Sequence, residues 1–226
     1  MANVDAGRLV GATVLVQEAE LRRDRATEGQ QDAEIQAQVK VSRVGVWTPA
    51  HAEEIGEALA QRLAQIVPRA ADDENAQLAP FVDPNVAARI NAIIEQGLTE
   101  PGARDVTAAY RDGERLVNWN NCSYLLPTVI RSEHDHRLAM KEFLFPFASV
   151  LQVDQDEIAS RLGPTLVVTA ITKDPKLIQT LVASSRIDRL NIGALSTNQI
   201  SWDQPHEGNL FDHLYARRAF QQAIAV

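Results

Sequence analysis

The residues of this chain that could do chemistry are few: one cysteine, Cys122, and five histidines in 226 residues. A cysteine is a nucleophile only as a thiolate, which needs a nearby base, a positive charge or a helix N-terminus. Cys122 follows Asn118, Asn120 and Asn121, and asparagines in such a cluster predict a turn. We therefore expect a passive thiol at the entrance of a strand. A single cysteine also has no partner for an internal disulfide.

A second candidate for chemistry is the histidine pair His134 and His136, flanked by Glu133 and Asp135. In a strand, residues two apart share a face, so two imidazoles and a carboxylate could bind a metal ion. A polar loop at the surface is the interpretation we favour for such a charged segment. We therefore predict no metal site in the chain.

The overall charge limits the classes of partner. The formal net charge is -8, and the sequence contains no block of lysines and arginines. Nucleic acid and anionic membranes attract clustered positive charge, so we expect neither as a partner. No apolar run approaches the roughly 20 residues of a membrane span, and the N-terminus does not resemble a secretory signal. We expect a cytoplasmic protein.

Strand and helix patterns alternate from residue 39 to the end of the chain. The segment Val39 to Trp47 alternates as a strand, and the helix after Pro49 has an apolar stripe at Ile55, Leu59, Leu63 and Ile66. This alternation predicts an α/β fold, with helices on the faces of a sheet. The segment Thr165 to Ile171 is apolar on both faces, which is typical of a strand in a sheet that is covered on both sides.

Further elements follow from local signals. The pairs Asp83-Pro84 and Asp174-Pro175 each predict a capped helix start. The remaining predictions are strands at 105–110, 125–130, 147–153 and 187–192, and helices at 137–143, 156–162 and 207–223.

Five short motifs, in this order, resemble the catalytic domain of aldehyde dehydrogenases. They are Pro127 to Val129, Glu142 to Pro146, Thr169 to Asp174, Leu190 to Leu195 and Pro205 to Gly208. The likeness covers residues 39 to 210. It implies a mostly parallel sheet with helices on both faces, in a catalytic domain at 41–226. Residues 1–40 would be a remnant or poorly defined segment, and the family's nucleotide-binding domain would be missing.

The resemblance also implies which residues should do the family's chemistry, and these are replaced. The nucleophilic cysteine stands four residues before the Ser-Arg-Val motif, which places it on Gln38; a count forward from Leu21 places it near Lys40. The general-base glutamate falls on Ala6. Glutamine is not a nucleophile, alanine accepts no proton, and a lysine would form an imine with no hydride acceptor beside it. We therefore expect no catalytic residue in this chain.

The resemblance implies that one cofactor-binding residue of the family is retained. Glu142 matches the glutamate that bonds the nicotinamide-side ribose, although Leu144 and Phe145 replace the family's Phe-Gly. A solvated or capping glutamate is the alternative. The chain has no Gly-x-Gly-x-x-Gly, so we expect it to bind no cofactor alone, with NAD or NADP implied only by the family. The segment Trp202 to Glu207, with Asn209, could line a phosphate pocket or form a structural turn.

The function that follows is that of an aldehyde dehydrogenase family protein: an oxidoreductase acting on aldehydes by descent, inactive as an isolated chain. One alternative is a non-catalytic partner that forms homo- or hetero-oligomers with aldehyde dehydrogenase subunits. The family it resembles oligomerises through this half, partly by strand addition. Another alternative is one fragment of an interrupted gene, which a neighbouring reading frame encoding the nucleotide half would reveal.

Overall fold

A computed structural model describes residues 13–18, by their backbone, and residues 43–195. Within them the strands are β1 Thr13–Glu18, β2 Arg43–Thr48, β3 Ala103–Asp105, β4 Leu116–Trp119, β5 Cys122–Leu125, β6 Thr128–Ser132, β7 Phe147–Gln152, β8 Thr165–Ile171 and β9 Ile187–Ile192. The α-helices are α1 Ala52–Leu63, α2 Pro84–Leu98, α3 Gln155–Arg161 and α4 Pro175–Val182, with a short 3-10 turn at Thr107–Ala109.

Seven of these strands form one sheet in the order β3-β6-β7-β2-β1-β8-β9. The strands β2, β6, β7, β8 and β9 run in one direction, while β1 and β3 run against their neighbours. The predicted α/β sheet with mainly parallel strand direction is confirmed. The strands β4 and β5 form a separate antiparallel hairpin.

Helices cover both faces of the sheet, as predicted. On one face α1 packs through Ala52, Ile55 and Ala60 against a cluster that includes Val129 and Val150. On the other face α3 and α4 pack around Trp47, which is 0% exposed. The strand β8 is buried on both sides, as its apolar sequence predicts. Over β6 and β7 on that second face, α2 packs against Ile130 and a cluster of phenylalanines.

The caps at two aspartate-proline pairs are confirmed. Asp83 accepts a hydrogen bond from the amide of Asn85, and Asp174 accepts one from the amide of Lys176. Each following proline occupies the first turn, where its missing N–H costs nothing. The helix predicted after Pro49 is α1, and its N-cap is His51, with a φ of 62°.

Three predicted elements are wrong in type or extent. The expected strand at 125–130 is two strands, because Leu126 and Pro127 separate the hairpin from β6. The segment 105–110 is the end of β3 followed by a 3-10 turn. Residues 137–140 form turns instead of a helix, and there the Ala139 carbonyl, which a helix would pair with the Phe143 amide, accepts a hydrogen bond from Ser149.

The N-terminal segment contributes to the sheet. The strand β1 pairs with β2 on one side and with β8 on the other. A boundary near residue 40 stays a prediction. The predicted helix at 207–223 lies outside the described residues.

Candidate functional site

The parallel strands β2, β6 and β7 begin at the same edge of the sheet, which we call the amino edge. Thr128, the first residue of β6, lies opposite Phe147, the first of β7, and Val44 lies opposite Ala148. Two positions that the sequence singles out precede these starts. Glu142 comes five residues before β7 in the chain, and Gln38 comes five residues before β2.

The segment that carries Glu142 is held by aromatic packing. Phe143, Phe145 and Phe147 form a cluster in which the Phe143 and Phe147 ring centroids are 4.9 Å apart. The amide of Thr128 donates a hydrogen bond of 3.0 Å to the Pro146 carbonyl, which fixes the segment to β6. Glu142 itself is half-buried within this segment. Its backbone is therefore positioned by neighbours that are firmly anchored in the core.

A second anchor joins the same segment to the end of α2. The amide of Leu138 donates to Nδ1 of His136, so the neutral imidazole carries its proton on Nε2 and donates it to the Gly97 carbonyl at 3.2 Å. The Leu138 side chain fills the space beside Gly97. The next residue of the segment, Ala139, is bonded to β7: the Ser149 hydroxyl donates a 2.8 Å hydrogen bond to its carbonyl. These bonds tie the segment between β6 and β7 to its surroundings at both ends.

The histidine pair has structural roles. His136 is buried and bonded to α2, whereas His134 bonds Asp135 at 3.0 Å and lies edge-on against Trp47, with centroids 5.4 Å apart. The hydrogen bond from His134 lowers the pKa of Asp135. The predicted loop is confirmed, although only His134 of the pair reaches its surface. Across 43–195 no group of three or more His, Cys, Asp and Glu could hold a metal ion.

Cys122 lies where its asparagine neighbours predict. It is the first residue of β5 and pairs with Trp119 across a two-residue turn. Asn120 and Asn121 have φ values of 52° and 62°, the left-handed backbone that tight hairpin turns require. Cys122 is half-buried. The pKa of nearby Tyr124 is raised by burial of its hydroxyl and, to a smaller extent, by electrostatic repulsion from Cys122. The thiol is thus part of a hairpin separate from the seven-stranded sheet.

A buried polar cluster supports the start of β6. The Arg115 guanidinium, 1% exposed, donates to Thr128 Oγ1 at 3.0 Å, to Glu95 at 2.8 Å and to Asp105 at 2.7 Å. Arg111 also donates to the same Asp105 oxygen at 2.7 Å. Burial raises the pKa of Asp105, but the charge of Arg111 and the hydrogen bonds from both arginines outweigh it, so the pKa lies below its ordinary value. The cluster links α2, β3 and β6 near the amino edge.

Several sequence-predicted positions lie outside the described residues. They are the base position Ala6, the nucleophile positions Gln38 and Lys40, and the polar segment Trp202 to Glu207 with Asn209. The geometry of the site therefore rests on Glu142 and the residues that anchor its segment.

The resemblance predicts that Glu142 contacts one part of a nicotinamide cofactor. A half-buried carboxylate such as Glu142 can accept hydrogen bonds from the hydroxyls of a ribose. A pyrophosphate needs backbone amides at a glycine-rich turn or a helix N-terminus, and the described residues offer no glycine-rich turn at the amino edge. A bound nicotinamide would supply the hydride acceptor, and the role that the resemblance implies for Glu142 is to orient the ribose.

The sequence reasoning missed one group of charged residues at the opposite edge. Arg131 and Ser132 end β6 and Gln152 ends β7, and beside them lies Arg104 of β3. No local signal marks this group, because Arg104 and Arg131 are 27 positions apart and meet only through the strand register.

Comparison with known proteins decides the family. The sequence profile of the aldehyde dehydrogenase family matches residues 29–209, most of the chain. This chain belongs to the aldehyde dehydrogenase family. The match spans β2 to β9 and includes the segment of Glu142, in agreement with the motifs. No curated protein sequence matches the chain.

Solved structures of aldehyde dehydrogenases share the fold. 3,6-Anhydro-L-galactose dehydrogenase is 18% identical with a TM-score of 0.53, over 68% of this chain and 33% of its own. Succinic semialdehyde dehydrogenase from Streptococcus pyogenes, solved with NADP+, is 19% identical with a TM-score of 0.50, over 68% and 34%. Aldehyde dehydrogenase C from Pseudomonas syringae, a mutant solved with NAD+ and octanal, is 22% identical with a TM-score of 0.49, over 67% and 30%. The chain thus spans about a third of these structures.

The aldehyde-dehydrogenase-like fold of the sheet is therefore confirmed by sequence and by structure. Across residues 43–195, no helix has the length and apolar character that a membrane crossing requires.

Proposed function

We propose that this chain supplies the catalytic-domain scaffold of an aldehyde dehydrogenase and does not itself perform the thiolate step of aldehyde oxidation. The reaction class is that of the family, an oxidoreductase acting on aldehydes with NAD or NADP. In that chemistry a thiolate adds to the aldehyde, and a bound NAD or NADP would supply the hydride acceptor. The scaffold retains the sheet and the Glu142 segment.

The position of the only cysteine supports this proposal. Cys122 starts β5, in the hairpin turn, and no other cysteine occurs among the 226 residues. The resemblance places the nucleophile ahead of β2, where the sequence has Gln38 or Lys40. Since a glutamine cannot attack an aldehyde and Cys122 belongs to another element, the thiolate step has no residue to carry it out.

Acyl transfer tests this step without any cofactor. An activated ester acylates a catalytic thiolate in a rapid burst of one equivalent per chain, whereas a passive thiol reacts as slowly as a free one. We expect the purified chain to show no burst and Cys122 to react at the rate of a small-molecule thiol. Stopped-flow release of the ester's leaving group measures this, with Cys122→Ser as the matched control.

A fast burst that disappears in Cys122→Ser would contradict the proposal, because it would make Cys122 an activated nucleophile. A burst that survives in Cys122→Ser would also contradict it, because another residue would then form the acyl intermediate.

A second candidate function, assembly with a full-length family member, is favoured by the strand β9. Among the described residues β9 pairs with β8 alone. Apolar side chains lie around it: Val182 is 67% exposed, Leu195 43% and Ile192 37%. An edge strand with apolar neighbours can pair with a strand of another chain.

A single charge on this strand tests assembly. We expect the chain to co-purify with a co-expressed full-length aldehyde dehydrogenase, and Ile192→Lys to reduce the recovered complex severalfold, because a lysine blocks edge pairing. Val82→Lys is the control, since Val82 is 82% exposed and lies far along the chain, before α2. A wild-type chain that stays monomeric during co-expression would exclude this function.

A further inference from the structure

Two arginines face each other across neighbouring strands at the carboxyl ends of β6 and β7. In the register of β3 and β6, Arg104 lies directly opposite Arg131. Like charges in such positions repel, and a fold that keeps them needs a compensating negative charge. Burial and then the charge of Arg104 lower the pKa of Arg131, which is the expected mark of this repulsion.

The compensating charge comes from α1. Glu53, in the first turn of that helix, forms ion pairs with Arg104 and, at 3.8 Å, with Nε of Arg131. The longer contact is too long for a hydrogen bond, and Nε of Arg131 is buried with no hydrogen-bond partner. Glu53 is 56% exposed, so its carboxylate is held loosely. One loosely held carboxylate therefore serves two guanidinium groups.

The Arg131 side chain is fixed in place by the sheet. Its Nη1 donates to the Val150 carbonyl at 3.2 Å, and its Nη2 donates to the Gln152 side chain at 3.3 Å. The aliphatic part of the side chain passes over Gly56 of α1, where a Cβ would lie 3.9 Å from Arg131 Cδ. The Nε–H donor is thereby preorganised and does not depend on the position of Glu53.

Arg104, Arg131 and Gln152 line an open cleft of about 490 Å³, together with Gly102, Ala103, Ser132 and Glu133. Its volume is within the range of small-molecule sites, roughly 300–1,000 Å³. The carboxyl ends of parallel strands are a common position for ligands in α/β sheets. The chain as a whole has a net charge of -8, so non-specific attraction of anions is unfavourable, and this arginine pair is a local exception.

We propose that the cleft binds a small dianion, a phosphate or a dicarboxylate, between Arg104 and Arg131, and that Glu53 is the internal carboxylate which the ligand displaces. Arg104 supplies a mobile guanidinium and Arg131 a fixed Nε–H donor. Glu53 holds the two positive charges together when no ligand is bound.

Titration calorimetry of the full chain at constant ionic strength tests the site, with inorganic phosphate and succinate as separate probes. We expect saturable binding of one anion per chain by at least one probe, and the tighter probe identifies the ligand class. Arg104→Gln should weaken binding about tenfold or more, because it removes a charge-assisted hydrogen bond. Arg104 is 52% exposed, so this variant should fold, which its thermal unfolding confirms.

The removal of the competing carboxylate gives the sharpest result. Glu53→Gln should tighten binding severalfold, whereas Glu57→Gln, the same charge change one turn further along α1, should leave it within twofold. Absence of saturable binding for both probes, binding that Arg104→Gln does not weaken, or Glu53→Gln without tighter binding would each overturn the proposal.

Discussion

Asp105 is the residue on which the polar cluster beneath β6 depends. Its carboxylate is 6% exposed and accepts hydrogen bonds from two arginines that are themselves 1% and 7% exposed. Two further nitrogens of Arg111, Nε and Nη1, are buried without a hydrogen-bond partner. The buried charge of Arg111 therefore relies on Asp105 alone among the described acidic groups.

We expect Asp105→Asn to lower the free energy of unfolding by about 3–5 kcal/mol near neutral pH, the usual cost of removing one partner of a buried ion pair. Urea unfolding followed by circular dichroism measures this loss. Glu114→Gln is the matched control, because Glu114 is exposed and should change stability little. An Asp105→Asn variant as stable as wild type would contradict the assigned role of the cluster.

The same carboxylate predicts a pH dependence. The pKa of Asp105 in the folded chain is lower than the unfolded value of 3.8, so ionised Asp105 stabilises the fold fully above pH 3.8. This contribution is lost as the pH falls through the folded pKa. The difference in unfolding free energy between wild type and Asp105→Asn should therefore be constant above pH 3.8 and should narrow below it. If the difference in unfolding free energy between wild type and Asp105→Asn widened on acidification, the pKa of Asp105 would be raised by folding, which would contradict this prediction.

At the scale of elements, α1 and α2 each have a buried glycine, and the two glycines have opposite surroundings. A Cβ on Gly97 in the last turn of α2 would lie 2.6 Å from Leu138, inside van der Waals contact. A Cβ on Gly56 in α1 would have no neighbour closer than 3.9 Å. The first glycine thus lets α2 approach the segment of Glu142, and the second is replaceable.

We expect Gly97→Ala to destabilise the chain by about 1–3 kcal/mol through overpacking, and Gly56→Ala to stabilise it by up to about 1 kcal/mol through helix propensity. Urea unfolding compares the two variants through the urea concentration at the midpoint of unfolding, with the slope of the unfolding free energy against urea expected to be equal. Equal effects of the two substitutions would mean that Leu138 moves aside freely and that α2 does not fix this segment.

How much of each element the sequence predicts depends on how local its signal is. The strands at Thr165–Ile171 and Ile187–Ile192 match their predicted bounds, and both aspartate-proline pairs cap helices, because those signals lie within a few residues. The sequence predicts the turn of the hairpin and a strand entrance at Cys122 but not β4, whose four residues are half-buried or exposed and give no apolar pattern. The helix predicted at 137–143 is absent, and the Ala139 carbonyl bonds Ser149 of β7, a non-local contact that periodicity does not express.

The same limit applies to the candidate sites. The predicted place of Cys122, after a turn and at the entrance of a strand, rests on the adjacent asparagines and is confirmed. The role of Glu142 depends on the resemblance and stays a prediction. The pairing of Arg104 with Arg131, and of Asp105 with Arg115, requires strand register and helix packing, which no single-sequence pattern provides.

At the scale of the whole molecule, the chain holds an aldehyde dehydrogenase sheet over about a third of the length of solved relatives. In the family's chemistry, a nucleophile, a base and a nucleotide site must converge on the substrate. The resemblance implies Gln38 or Lys40 and Ala6 at the first two positions, and it predicts one acceptor, Glu142, for the third. The scaffold and the chemistry are thus separate properties of this fold.

Aldehyde turnover by the purified chain is the most direct test of whether the scaffold is present without the family's chemistry. NAD+ or NADP+ reduction would be followed by absorbance for a panel of aliphatic, aromatic and carboxylated aldehydes, with a full-length aldehyde dehydrogenase as positive control and Cys122→Ser as a matched variant. We predict no saturable cofactor reduction above the blank, in the chain or in the variant. Saturable reduction by the wild-type chain, at a rate proportional to its concentration, would contradict the account.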